Sequence, residues 1–264
     1  MYEFNYQAPK SLADASQAIA NAEDGKILAG GMTLVPTLKQ RLARPSDLID
    51  LGKIPDIKGI KVDGGTVTIG AMATHAEVGA SEAVAKAIPG LAWLAGNIGD
   101  PAVRHRGTLG GSISNNDPAA DYPAALLALG ATVHTTKRQL AAADFFTGMF
   151  ETALEPDEIV TAVSFPIPEK SGYQKFRNPA SRYAVVGVFV AKTAAGVRVA
   201  VTGAGPAVFR VPEFEAALDK SFTPAALDGL SIPADDLNAD IHASAAYRAH
   251  LVVVFAKRAV AAIG

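Results

Sequence analysis

Residues 27–36 read ILAGGMTLVP and residues 106–121 read RGTLGGSISNNDPAAD, two glycine pairs, each set where a strand or turn runs into polar sequence. Paired glycines remove Cβ atoms, so the backbone reaches positive φ and can bring several N–H donors onto one anionic ligand. One such loop reads as an ordinary turn. Two, with Thr33, Thr108 and Ser112 beside the glycines and Asp121 at the far end, read as a cradle that grips a large phosphorylated cofactor from two sides.

Upstream of the first pair, residues 4–7 form a short strand and Ser11, with Asp14 three residues on, opens a helix by a capping box. Residues 26–28 are a strand, 34–41 a helix and 48–51 a strand, which makes a strand, glycine turn, helix unit. Residues 57–61 and 66–70 form a hairpin around Asp63-Gly64-Gly65, and Thr74 with Glu77 caps the helix that follows. Helical spacing then runs intermittently from 82 to about 96, broken at Ile88-Pro89-Gly90.

Residues 97–118 are about twenty residues of Gly, Asn, Asp and Ser with little apolar periodicity, expected to be a packed binding loop. Beyond the second glycine pair, 122–129 return to helix and 131–135 and 139–142 are strands. Residues 159–165, 173–177, 185–192 and 197–202 read as successive antiparallel strands. From Pro206 onward the chain is mostly helical, ending in a helix over 245–263. Proline closes a strand at Pro166-Ile167-Pro168, so residues 1–166 are expected to form one domain and 167–264 a second. Strands in one block and helices in another indicate an α+β chain rather than a doubly wound sheet.

The chain has 264 residues, 49% of them hydrophobic, ample for a buried core. With 24 basic against 26 acidic residues and no block of like charge, nucleic acid and anionic membrane are poor partners. No apolar run approaches the roughly 18 to 20 residues of a bilayer span, and the start MYEFNYQAPK lacks the pattern of a secretory signal. A cytoplasmic protein is expected. The absence of cysteine excludes disulfides, a thiolate nucleophile, a conventional iron–sulfur cluster and a thiolate zinc site within this chain. Redox chemistry here would need an organic cofactor.

Other motifs fail on inspection. GAGPAV at 203–208 begins like a dinucleotide fingerprint but lacks its third glycine and the later acid, and reads as a strand-to-helix turn. No P-loop and no G-x-S-x-G occurs, and the five histidines have no metal-type spacing. Arg104-His105-Arg106, just before the second glycine loop, could touch a phosphate or simply be solvated. Asp121 could bond a sugar hydroxyl or ring nitrogen, cap the helix beginning at Tyr122, or do both at once.

The run GDPAVRHRGTLGGSISNNDPAADYPAAL, with ILAGGMTLVPTLKQRLARPSDLIDL and TVTIGAMATHAEV upstream and YQKFRNPASRYAVVGVFVA and VTGAGPAVFRVPEFEAAL downstream, resembles the FAD-binding medium subunit of the molybdenum hydroxylases, the carbon monoxide dehydrogenase and xanthine dehydrogenase family. The resemblance spans almost the whole chain. It implies a vanillyl-alcohol-oxidase (PCMH)-type fold of two α/β lobes clamping FAD over about the first 165 residues, followed by a small domain of antiparallel strands and helices. It also implies that Ile27, Leu28, Ala29, Gly30, Gly31, Met32 and Thr33 cradle the diphosphate together with Thr108, Leu109, Gly110, Gly111 and Ser112. Asn115 and Asp121 would lie nearby, Val160 would make a backbone or apolar contact, and Lys175 and Tyr183 would come close to the cofactor. Lys175 could stabilise anionic reduced flavin. Tyr183 either faces the isoalloxazine ring or is a core strand residue.

Departures from the family pattern are modest: Thr33 stands where serine is commoner and Ser112 where asparagine is usual, and both keep a hydrogen-bonding group. The chain is somewhat shorter than many relatives towards its C-terminus. The resemblance further implies an electron-transfer subunit. It would serve a molybdopterin-containing large subunit and a small subunit with two iron–sulfur clusters, assembled as a dimer of heterotrimers, and FAD would pass electrons to an acceptor. A free-standing flavin oxidoreductase of the same superfamily and a non-catalytic FAD-binding protein are the alternatives.

Overall fold

The first glycine pair lies at the end of a three-stranded parallel sheet in the computed structural model, which describes residues 1–263. Strand Asp47–Asp50 sits between Asn5–Gln7 and Gly25–Leu28. Helix Leu12–Asn21 covers it, burying Ala15 and Ile19 against Ile49, Leu51, Ile54 and Ile57. Ser11 caps this helix by accepting from the Asp14 N–H at 3.1 Å. The Asp14 carboxylate accepts from the Ser11 hydroxyl rather than from its N–H, so only half of the expected capping box forms.

The second sheet has five antiparallel strands in the order Ile60–Asp63, Thr66–Gly70, Val160–Pro166, Thr132–Thr135, Gln139–Ala141. Its hairpin starts at Ile60 and not at residue 57, because Ile57 is fully buried in the core of the first lobe. The strand Val160–Pro166 lies at the centre of this sheet and does not lead the later run of strands. Its alternate residues Val163 and Phe165 are fully buried on one face, the period-2 pattern of a sheet with one covered side.

Residues 97–118 are not a loop throughout. Asp100 caps a short helix Pro101–Arg104, and Thr108 caps a helix Leu109–Asn115 by accepting from the Gly111 N–H at 3.1 Å. Leu109 and Ile113, four residues apart, bury together on its inner face. That pair outweighs the low helix propensity of the two glycines between them.

A four-stranded antiparallel sheet follows: Lys170–Arg177, Ala184–Thr193, Gly196–Thr202 and Phe209–Arg210. Its second strand is buried on both faces. Val186, Val188 and Val190 pack under the helices Pro212–Lys220 and Ala245–Ala261, while Phe189 and Ala191 face the core that holds Tyr122 and Leu126. Such two-sided burial explains its near-continuous apolar sequence. The segment 203–208 leads into the two-residue strand Phe209–Arg210 and only then into a helix, so it is not the direct strand-to-helix turn expected.

Candidate functional site

Strand Gly25–Leu28 delivers the chain into the first glycine loop, and helix Leu34–Lys39 leaves it. Gly31 has φ +74°, and a Cβ there would stand 2.9 Å from Val35 Cγ2, so an L side chain is strained in both respects. Gly30 matters for a different reason. A Cβ on it would overlap the carbonyl oxygen of Arg106 and lie 2.9 Å from Gly107 Cα. The two loops are therefore in backbone contact, and only glycine lets them meet.

The second loop is stitched to the end of strand Thr66–Gly70 and the turn after it. Leu109 N–H donates to Ala73 at 3.0 Å, Gly110 N–H to Ala71 at 2.8 Å, and His75 N–H to Gly107 at 3.0 Å. Gly111 and Ser112 donate to the Thr108 hydroxyl and carbonyl. The amides of residues 109–112 are thus already used. By contrast, the N–H groups of Gly30, Gly31, Met32 and Thr33 meet no acceptor among the described residues. This corrects the expectation that both bends present main-chain donors: the open amides belong to the first loop. The second loop offers the side chains of Ser112 and Asn115, three residues apart on one helix face.

Between the loops opens a cleft of about 610 Å³. Of the residues singled out from sequence, Ile27, Ala29, Gly30, Gly31, Met32, Thr33, Thr108, Gly110, Gly111, Ser112, Asn115, Asp121, Val160 and Tyr183 line it. Leu28, Leu109 and Lys175 do not. Leu28 approaches Gly31 from the strand, Leu109 is fully buried in the core, and the Lys175 side chain is sealed from solvent.

Lys175 is turned to Asp121, its Nζ 2.9 and 3.0 Å from the two carboxylate oxygens, and the Tyr173 hydroxyl donates to the same carboxylate at 2.6 Å. Asp121 makes no cap bond to the helix Tyr122–Leu129, which corrects that reading. Burial pushes its carboxyl up, while Lys175 and Tyr173 pull it back down. Two residues of the C-terminal sheet thereby hold an acid of the cleft wall in place.

Tyr183 is 43% exposed on the turn between the first two strands of that sheet, and so is not a core strand residue. Asn178 shapes this turn, its side-chain oxygen accepting from the N–H groups of Ala180 and Ser181 at 2.9 and 3.1 Å. Partial burial and the neighbouring Asp117 and Asp121 push the Tyr183 phenol up. Arg104 is committed elsewhere, donating to the carbonyls of Ile98 and Gly99 at 3.0 and 3.1 Å.

Sequence reasoning missed several parts of the wall, among them Met72, His75, Ile98, Val103, Leu154 and Arg182. The apolar members carry no local signal. His75 follows the capping residue Thr74, whose pattern was read, but nothing in the sequence shows that this helix start abuts the second glycine loop. Burial, with Arg104 nearby, lowers the His75 imidazole to about 4, so its ring is neutral. Among the described residues no helix is long and apolar enough to cross a membrane.

Residues 2–168 match the family model of the FAD binding domain in molybdopterin dehydrogenase, and residues 171–263 match that of the CO dehydrogenase flavoprotein C-terminal domain. The chain is 38% identical to the nicotine 6-hydroxylase medium subunit of Paenarthrobacter nicotinovorans, over 98% of this chain and 96% of that protein. It is 40% identical to the carbon monoxide dehydrogenase medium chain of Afipia carboxidovorans, over 73% and 70% of the two. In structure it superposes on a chain of reconstituted CO dehydrogenase from Oligotropha carboxidovorans with a TM-score of 0.90 at 32% identity, covering 98% of this chain and 96% of the other. The chain belongs to the family of FAD-binding medium subunits of the molybdenum hydroxylases.

Proposed function

We propose that this chain is the electron-transfer flavoprotein subunit of a heterotrimeric molybdenum hydroxylase. It would take electrons from two iron–sulfur clusters in a small partner subunit and pass them to an external acceptor, while substrate is oxidised at a molybdopterin site in a large partner subunit. The absence of cysteine supports this division of labour, since the clusters then need another polypeptide. Assembly as a dimer of heterotrimers belongs to the same proposal, as does the division into an FAD-binding unit over 1–166 and a C-terminal unit over 167–264.

The observation that carries the reading is the meeting of the two glycine loops, with open amides on one side and free hydroxyl and amide side chains on the other. These donors suit a diphosphate, and a Cβ at Gly30 would fill the junction they share. FAD, when bound, supplies the redox chemistry, and this chain tunes it. In this proposal the N–H groups of Gly30, Gly31, Met32 and Thr33 hold the diphosphate, with Ser112 and Asn115 opposite. Val160 gives an apolar contact, Asp121 faces the cofactor with Lys175 and Tyr173 fixing its direction, and Tyr183 screens the cleft mouth. Lys175 then acts on the flavin through Asp121.

Purification of the chain with its companion subunits tests the reading. One FAD per chain, bleached by the substrate of the partner subunit, is expected. A colourless complex that takes up no added FAD would overturn it.

A further inference from the structure

We propose that His75 is a further positioning residue for the flavin nucleotide, with Nδ1 turned to the protein and an Nε2–H offered to an acceptor oxygen on the ribityl-diphosphate arm. This rests on the FAD reading above. His75 is the first residue of helix His75–Ala80, held there by the capping box of Thr74 and Glu77 and by its N–H bond to Gly107. The residue is 4% exposed, and Nδ1 is sealed with no partner. Among the described residues Nε2 has no partner either, but it is not sealed, and the ring borders the cleft. A Cβ on Gly107 would lie 2.6 Å from Nε2, and Gly107, with Arg106 before it, is part of the backbone that a Cβ on Gly30 would meet. Nε2 therefore stands where the two glycine loops join.

The tautomer follows from the burial of Nδ1. Tyr122 packs on the imidazole with ring centroids 5.4 Å apart, and its hydroxyl is likewise buried without a partner. A sealed ring nitrogen with no partner suits a bare Nδ1, since an unpartnered buried N–H would be the rarer arrangement. The proton is then on Nε2. The ring is neutral because burial, and after it the charge of Arg104, oppose its protonation.

The test measures FAD affinity of the chain purified with its companion subunits, stripped of flavin and titrated with FAD, for wild type, His75→Leu and His75→Gln. Glutamine can place an N–H donor where Nε2 stands, whereas leucine cannot. The expected result is a Kd about tenfold higher for His75→Leu, the size of one lost hydrogen bond, with His75→Gln staying within about threefold of wild type. Protonation would occur at Nδ1 and keep the Nε2–H, so wild-type affinity should show no loss of this donor as pH falls from 8 to 5. Affinity of His75→Leu equal to wild type, or equal weakening of both variants, would overturn the assignment. A wild-type protein that binds no FAD would sink the functional reading itself.

Discussion

Gly30 touches the backbone of Arg106 so closely that a methyl group on Gly30 would overlap the Arg106 carbonyl oxygen and stand 2.7 Å from its carbonyl carbon. Neither neighbour is a flexible side-chain end, so the loops must part. Gly30→Ala is expected to destabilise the fold by about 1–3 kcal/mol, the usual cost of overpacking, and to remove most of the bound flavin. Flavin absorbance per chain and a urea midpoint measure both. Gly96→Ala serves as the control, because a new Cβ there meets nothing within 4 Å. It should leave flavin content unchanged.

The buried pair of Asp121 and Lys175 makes a second case. With both side chains sealed, removing the ammonium leaves an uncompensated charge or forces a proton onto the acid. Lys175→Met should cost about 3–5 kcal/mol, whereas the double variant Asp121→Asn with Lys175→Met should recover at least half of that. A denaturation double-mutant cycle decides. Additive losses would mean that the two residues stabilise the fold separately.

How far the sequence announced this site depends on what kind of signal each residue carried. Glycine pairs are legible because few other residues permit such backbone paths, so Gly30, Gly31, Gly110 and Gly111 were found and do line the cleft. Thr108 was found, but its role as a cap was hidden inside what read as a loop, because burial of Leu109 and Ile113 outweighed the propensity of the glycines. Asp121 reads from the sequence as a partner for a sugar hydroxyl or ring nitrogen, as a cap for the helix at Tyr122, or as both. Its actual partners are 52 and 54 residues away, and local pattern says nothing about such distances. The strand Val160–Pro166 had the right length and type and the wrong sheet for the same reason. His75 was passed over because its neighbours in space, Gly107 and Tyr122, arrive from a later part of the chain.

His75 also sets an acid-side pH dependence of stability. Its folded value of about 4 lies below the ordinary 6.5, so the unfolded chain takes up a proton first as pH falls. Stability should therefore drop progressively between pH 6.5 and 4, by about 3 kcal/mol in all, and show no further loss from this group below that. The groups acting on the ring are Arg104, whose charge opposes protonation, and Tyr122 packed on its face. Urea melts at pH 7 and pH 4 should show that loss in wild type, with His75→Gln losing about 3 kcal/mol less. An identical pH dependence in the two proteins would show that the imidazole is not buried neutral.

Asn116 ends the second-loop helix with φ +42°, is 3% exposed, and donates from Nδ2 to the carbonyls of Gly148 and Glu151, both at 2.8 Å. It thus does two things: it adopts the left-handed cap that asparagine tolerates, and it pins the hairpin whose Thr152 lines the cleft. Two substitutions separate these roles. Asn116→Gly keeps the backbone conformation and loses both donors, with an expected cost of about 2 kcal/mol. Asn116→Asp keeps the shape but turns a carboxylate oxygen towards two carbonyls, and should cost more. Thermal melts of the two variants therefore give the order wild type, glycine, aspartate. If glycine matched wild type, the dihedral angle alone would account for asparagine here, and the hairpin would be held by its own strand pairing instead.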